Sequence, residues 1–147
     1  MDWGEITMRL GLASAAGMLI GIDRELRHKP AGLRTHMLVS LGAATIMLIA
    51  VQLNNNASPI VQGVVTGIGF IGAGAILHSG RHTEGVTTAA SIWICTMIGV
   101  AAGTGYYKVM IVSTVMAIVI LTICGKLDDV LRRETQGEPG NISRRER

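Results

Sequence analysis

The chain has 147 residues, 49% of them apolar and 16% charged, which is the length of one domain but not the composition of a soluble core. Its charges fall in a few clusters between long uncharged runs, so the net charge of +3 reads as membrane topology and argues against nucleic-acid binding. Two cysteines, Cys95 and Cys124, lie at different depths of such runs and read as small packing residues rather than a disulfide.

In chain order the apolar runs are Trp3–Ile22, Leu33–Leu53, Ile60–Leu77, Val86–Ala102 and Tyr107–Ile123. Each is about 17 to 21 residues, enough at 1.5 Å per residue to cross the ~30 Å hydrocarbon layer. The expected fold class is therefore all-α: a polytopic membrane protein of about five glycine-rich transmembrane helices over 1–127, with a disordered basic tail over 128–147. The first run is the weakest of the five, since Glu5 and Arg9 lie inside it, and without it four crossings remain. It does not read as a signal peptide: no basic segment precedes it, and Ala13-Ser14-Ala15 comes too early for cleavage.

Short loops rich in Lys and Arg stay cytoplasmic. Arg24, Arg27, Lys29 and Arg34 follow the first run, Arg81 the third, and Lys126, Arg132, Arg133, Arg144, Arg145 and Arg147 the fifth, leaving only Arg9 and Lys108 elsewhere. A five-helix chain puts these three segments on one side, so the N-terminus is expected outside and the C-terminus in the cytoplasm. The outer loops are then Asn54–Pro59 and Gly103–Tyr106, with Trp3, Tyr106 and Tyr107 at the outer interface.

Helices in lipid pack where small residues let backbones approach. Gly17 and Gly21, Gly63 and Gly67, and Gly99 and Gly103 form G-x-x-x-G pairs in the first, third and fourth helices. The third also carries Gly69, Gly72 and Gly74, which places it at the centre of the expected bundle and makes a homo-oligomer the expected assembly. The spacing Gly67-Ile68-Gly69-Phe70-Ile71-Gly72 matches a dinucleotide fingerprint, but that motif needs a preceding strand and a soluble helix.

The segment Gly21–His36 packs two carboxylates, four cations and two imidazoles into one membrane boundary. Pro30 and Gly32 stop the first helix and turn the chain, so that Arg34-Thr35-His36 opens the second helix beside Asp23, Arg24 and Glu25. Asp23 or Glu25 is expected to pair with Arg34, either closing the turn or serving ion or proton movement. His78 and His82 would share a face if their loop were helical, but no ligand spacing supports a metal site, and no cofactor is expected. Thr87-Thr88-Ala89-Ala90-Ser91 opens the fourth helix with hydroxyls able to bond to a backbone or a neighbouring helix. No nucleophile, base and orienting group converge, so an enzyme is not expected.

With these segments in place, the chain resembles the MgtC/SapB family of bacterial inner-membrane proteins. The resemblance runs from about Leu10 to Tyr107 and rests on Ile20-Gly21-Ile22-Asp23-Arg24-Glu25, Pro30-Ala31-Gly32-Leu33-Arg34-Thr35-His36, Gly67-Ile68-Gly69-Phe70-Ile71-Gly72-Ala73-Gly74 and Gly85-Val86-Thr87-Thr88-Ala89-Ala90-Ser91-Ile92-Trp93. It implies adaptation to low magnesium, survival of pathogens inside macrophages, and modulation of other membrane proteins such as ATP synthase or a P-type ATPase, rather than magnesium transport itself. Many members continue into a soluble ACT-like domain, whereas this chain ends about 20 residues after its last expected helix. It therefore resembles the shorter, SapB-like form.

The expected function is that of a non-enzymatic inner-membrane protein that assists partners under ionic or acid stress, with glycine faces for contact and the Asp23–His36 turn as its site. The alternative is a small oligomeric cation channel or transporter, lined by the third helix and gated by Asp23, Glu25 and Arg34.

Overall fold

A computed structural model describes residues 1–53, 57–76 and 85–136, with side chains as far as 127. Five helices run through them: α1 (Trp3–Leu26), α2 (Leu33–Gln52), α3 (Ala57–Ile76), α4 (Val86–Thr104) and α5 (Tyr107–Gln136). All five are long and apolar enough to cross a membrane, α5 through its Tyr107–Leu127 stretch. His78, His82, the start of the Asn54–Pro59 loop and the tail beyond Gln136 lie outside the described residues.

The chain turns are local and explicable. α1 closes at His28, whose φ of 52° is left-handed, with His28 N–H donating to the Glu25 carbonyl and Lys29 N–H to the Arg24 carbonyl. α4 closes the same way at Gly105, φ 83°, with Gly105 N–H donating to Ala102 and Tyr106 N–H to Ala101. Gly105 meets the left-handed requirement without a side-chain clash; His28 meets it at a cost.

α4 is the centre of the bundle. It packs against each of the other four helices, and 56% of its apolar stretch is buried. α3 is instead peripheral: it touches only α2 and α4, and 6% of its apolar stretch is buried, which corrects the expectation that its glycines place it centrally. The reason lies in what each glycine faces. A Cβ on Gly17 would stand 2.5 Å from the His36 carbonyl oxygen, and one on Gly21 would stand 2.7 Å from Leu33 Cα. On α4, a Gly99 Cβ would stand 2.9 Å from Ser40 Cα, and a Gly103 Cβ 2.5 Å from the Ala44 carbonyl oxygen. Those four positions let α1 and α4 lie directly on the backbone of α2.

On α3, by contrast, Gly63, Gly67, Gly69 and Gly74 have nothing within 4 Å of a would-be Cβ, and only Gly72 meets a neighbour, Ala89 Cβ at 3.6 Å. Small residues permit close approach but do not compel it. Between α2 and α3 lies an open apolar groove of about 560 Å³, walled by Leu38, Gly42, Ile46, Gly63, Gly67 and Ile71. The core itself is small and tight, built on Ala13, Ile20, Ala44, Cys95, Ile98 and Ala102.

Candidate functional site

The turn between α1 and α2 brings the end of one helix against the start of the next. Glu25 is exposed, yet its Oε2 accepts the Leu33 N–H at 3.0 Å across the turn. A carboxylate there satisfies an orphan donor and complements the positive end of α2. The same Oε2 occupies the space a Gly32 Cβ would take, so a side chain at position 32 would displace the Glu25 carboxylate. Asp23 Oδ1 accepts from Arg27 Nε at 3.0 Å one turn along α1, and Arg27 reaches over to Gly125 on α5.

Neither carboxylate pairs with Arg34, contrary to the sequence expectation. Arg34 is exposed and Thr35 half-buried on the first turn of α2, because helical periodicity turns Arg34 away from α1 while His36 points inward.

Arg24 and His36 go to the interior. Arg24 is 3% exposed and His36 fully buried, at one end of the bundle where α1, α2 and α4 meet. Arg24 Nη2 donates to Thr88 Oγ1 at 2.6 Å. Ser91 Oγ lies 2.8 Å from the Thr88 carbonyl oxygen and 3.1 Å from His36 Nε2. His36 Nδ1 faces the Gly32 carbonyl at 2.9 Å, and the His36 carbonyl accepts from Cys95 Sγ at 3.3 Å. One polar chain thus runs Arg24–Thr88–Ser91–His36–Gly32 through three helices, wholly out of solvent.

Arg24 is the unusual member. Among the described residues its guanidinium meets a hydroxyl and no carboxylate, and its Nε has no partner; Asp23 Oδ2 next to it in sequence is likewise buried and unpartnered. Burying this guanidinium is costly, since its hydrogen-bond partner is a neutral hydroxyl and the attraction of the nearby Asp23 offsets only part of the loss of water; in a membrane span a group of this kind is a candidate functional position. Arg24 and His36 stand in this turn and Thr88 and Ser91 offer their hydroxyls as expected from sequence, while the bonds that join the four emerge only in the fold. The signal lies in their positions: Arg24, His36, Thr88 and Ser91 all lie within about a turn and a half of helix ends that the basic loops put on the same side.

The opposite end holds a second arginine that the sequence reading treated only as an imperfection. Arg9 pairs with Glu5 on α1, donates from Nη1 to the Gly103 carbonyl at 2.7 Å, and lies against Gly105. Among the described residues no three His, Cys, Asp or Glu side chains gather as a metal site.

Comparison with known proteins agrees with this architecture. Residues 10–130 match the MgtC family. The chain is 40% identical over 133 residues to YhiD of Escherichia coli strain K12, whose name proposes it as a magnesium transporter; the match covers 84% of this chain and 62% of YhiD. It is 36% identical over 137 residues to protein SrpB of Synechococcus elongatus, covering 82% of this chain and 75% of SrpB. It is 39% identical over 117 residues to protein MgtC of Brucella abortus, covering 78% of this chain and 49% of that protein. The chain thus spans about half to three quarters of the length of these relatives. No solved structure matches it. A five-helix membrane architecture and a family match over most of the chain lead to one conclusion: this is a multi-pass membrane protein of the MgtC family.

Proposed function

We propose that the protein is a non-enzymatic component of the bacterial inner membrane that modulates partner membrane proteins during magnesium limitation or related ionic and acid stress. The observation that carries this reading is the Arg24–Thr88–Ser91–His36 chain, whose buried polar groups bond to one another across α1, α4 and α2. Such an arrangement suits coupling the relative position of helices, not turning over a substrate. The open glycine face of α3 supports contact with a neighbour within the bilayer, a second copy or a partner such as a P-type ATPase or ATP synthase.

The basic bias supports placing the Arg24 end in the cytoplasm and the Arg9 end outside. The relatives' names tie the reading to magnesium. The test is growth of a deletion strain in limiting and in ample magnesium, with and without a plasmid copy. A defect confined to limiting magnesium and cured by the plasmid is expected; equal growth in both media removes the magnesium connection.

A second reading, a cation transporter, is favoured by the name of YhiD. Against it, the groove beside α3 is apolar, and Asp23, Glu25 and Arg34 do not converge on a gate. Cation flux into liposomes carrying the purified chain, abolished in Asp23→Ala, would establish this reading instead; flux equal to empty liposomes would dismiss it.

A further inference from the structure

Ser91 has one hydroxyl hydrogen and two neighbours placed to use it. The Thr88 carbonyl oxygen, 2.8 Å away, can only accept. His36 Nε2, 3.1 Å away, accepts or donates according to its proton. At the other side of the ring, Nδ1 faces the Gly32 carbonyl at 2.9 Å, so Nδ1 carries a hydrogen in either state. A neutral ring then has a bare Nε2, and the Ser91 hydrogen must turn to it and leave Thr88. In the imidazolium, Nε2–H donates to Ser91 Oγ, and the Ser91 hydrogen returns to the Thr88 carbonyl. Only the protonated ring makes all three contacts at once.

We infer that His36 is a proton-binding site inside the bundle whose occupancy sets the direction of the Ser91 hydroxyl: the hydrogen bond between α2 and α4 is kept in both states with donor and acceptor exchanged, and the Ser91–Thr88 bond within α4 is made on protonation and given up on its loss. Uptake of one proton at Nε2 and rotation of one hydroxyl balance the step; no other covalent bond forms or breaks. The ring is held for this task, since its own backbone carbonyl accepts from Cys95 on α4 and lies against Gly17 on α1. Among the described residues the groups that face it are Arg24 from α1, Cys95 and Ser91 from α4, and the Gly32 carbonyl at the start of its own helix. α3 brings apolar Ile68 and Ala75 to this end, and α5 does not touch α2. The inference goes beyond the magnesium reading and stands independently of it.

The experiment is nitrogen NMR of the ring in the full chain in lipid nanodiscs, with His28→Gln, His78→Gln and His82→Gln leaving His36 as the remaining imidazole. Over roughly pH 4 to 9, the span in which histidines titrate, the expected ring is Nδ1–H with bare Nε2 at the alkaline end and doubly protonated at the acid end. Ser91→Ala removes two hydrogen bonds from the charged form and one from the neutral form, so it should weaken proton binding about tenfold, a downward shift of about one pH unit. Ser91→Thr, which keeps the hydroxyl, should retain the parent midpoint. A ring that carries its alkaline hydrogen on Nε2, that never changes state, or whose midpoint is unmoved or raised by Ser91→Ala overturns the inference. If Ser91→Ala does not fold, the tautomer and titration of the parent and of Ser91→Thr decide it.

Discussion

Each end of the bundle sets an arginine from α1 against α4, Arg9 partly buried and Arg24 buried, and the two are met in opposite electrostatic ways. At one end Arg9 meets the Glu5 carboxylate and the Gly103 carbonyl at the C-terminus of α4, where a cation is favoured by the helix dipole. At the other, Arg24 meets the Thr88 hydroxyl near the N-terminus of α4, where a cation is disfavoured, and its neighbour Asp23 is engaged by Arg27. The first arrangement is what stability alone would select. The second is an arrangement that stability alone gives no reason to keep, and the difference teaches where to look for function.

The largest expected effect breaks this contrast directly. Arg9→Met leaves Glu5 without its cation and uncaps α4, and should lower unfolding stability in detergent by about 2–3 kcal/mol. Arg24→Met replaces a buried charge whose hydrogen-bond partner is a neutral hydroxyl by an apolar chain of similar length and should change stability by less than about 1 kcal/mol in either direction. Equal losses at the two sites would show that Arg24 is as structural as Arg9.

A second pair sharpens the same comparison among the glycines. Gly103→Ala forces a methyl against the α2 backbone and should cost about 1–3 kcal/mol. Gly67→Ala meets open space and, as a better helix former, should leave the isolated chain unchanged or up to about 1 kcal/mol more stable. Thermal unfolding of both variants reads the difference, and crosslinking in native membranes shows whether Gly67→Ala disturbs an assembly that the isolated chain lacks. The smallest effect is at the turn after α1: His28→Gly relieves a left-handed residue and should raise stability by roughly 1 kcal/mol.

Much of the fold was legible because hydropathy is a one-dimensional signal. The five spans, and the turn at Pro30–Gly32, follow from where apolar runs stop. Which glycine stripe packs is not one-dimensional: Gly63 and Gly67 look like Gly99 and Gly103 in sequence, and only the path of α2 distinguishes them. The candidate site was legible as a neighbourhood but not as a circuit. Asp23, Arg24, Glu25, Arg34 and His36 crowd one boundary, and charge alone suggests pairing opposite signs. Helix phase instead turns Arg34 to the outside and Arg24 inward to a hydroxyl 64 residues away.

Arg24 is expected to act in function while contributing little to stability. The most direct measurement is growth of the deletion strain in limiting magnesium with a plasmid carrying Arg24→Met, with the amount of protein in the membrane followed alongside. Wild-type accumulation without growth is the expected result. Wild-type growth from Arg24→Met would contradict the account, because the buried polar chain would then be dispensable.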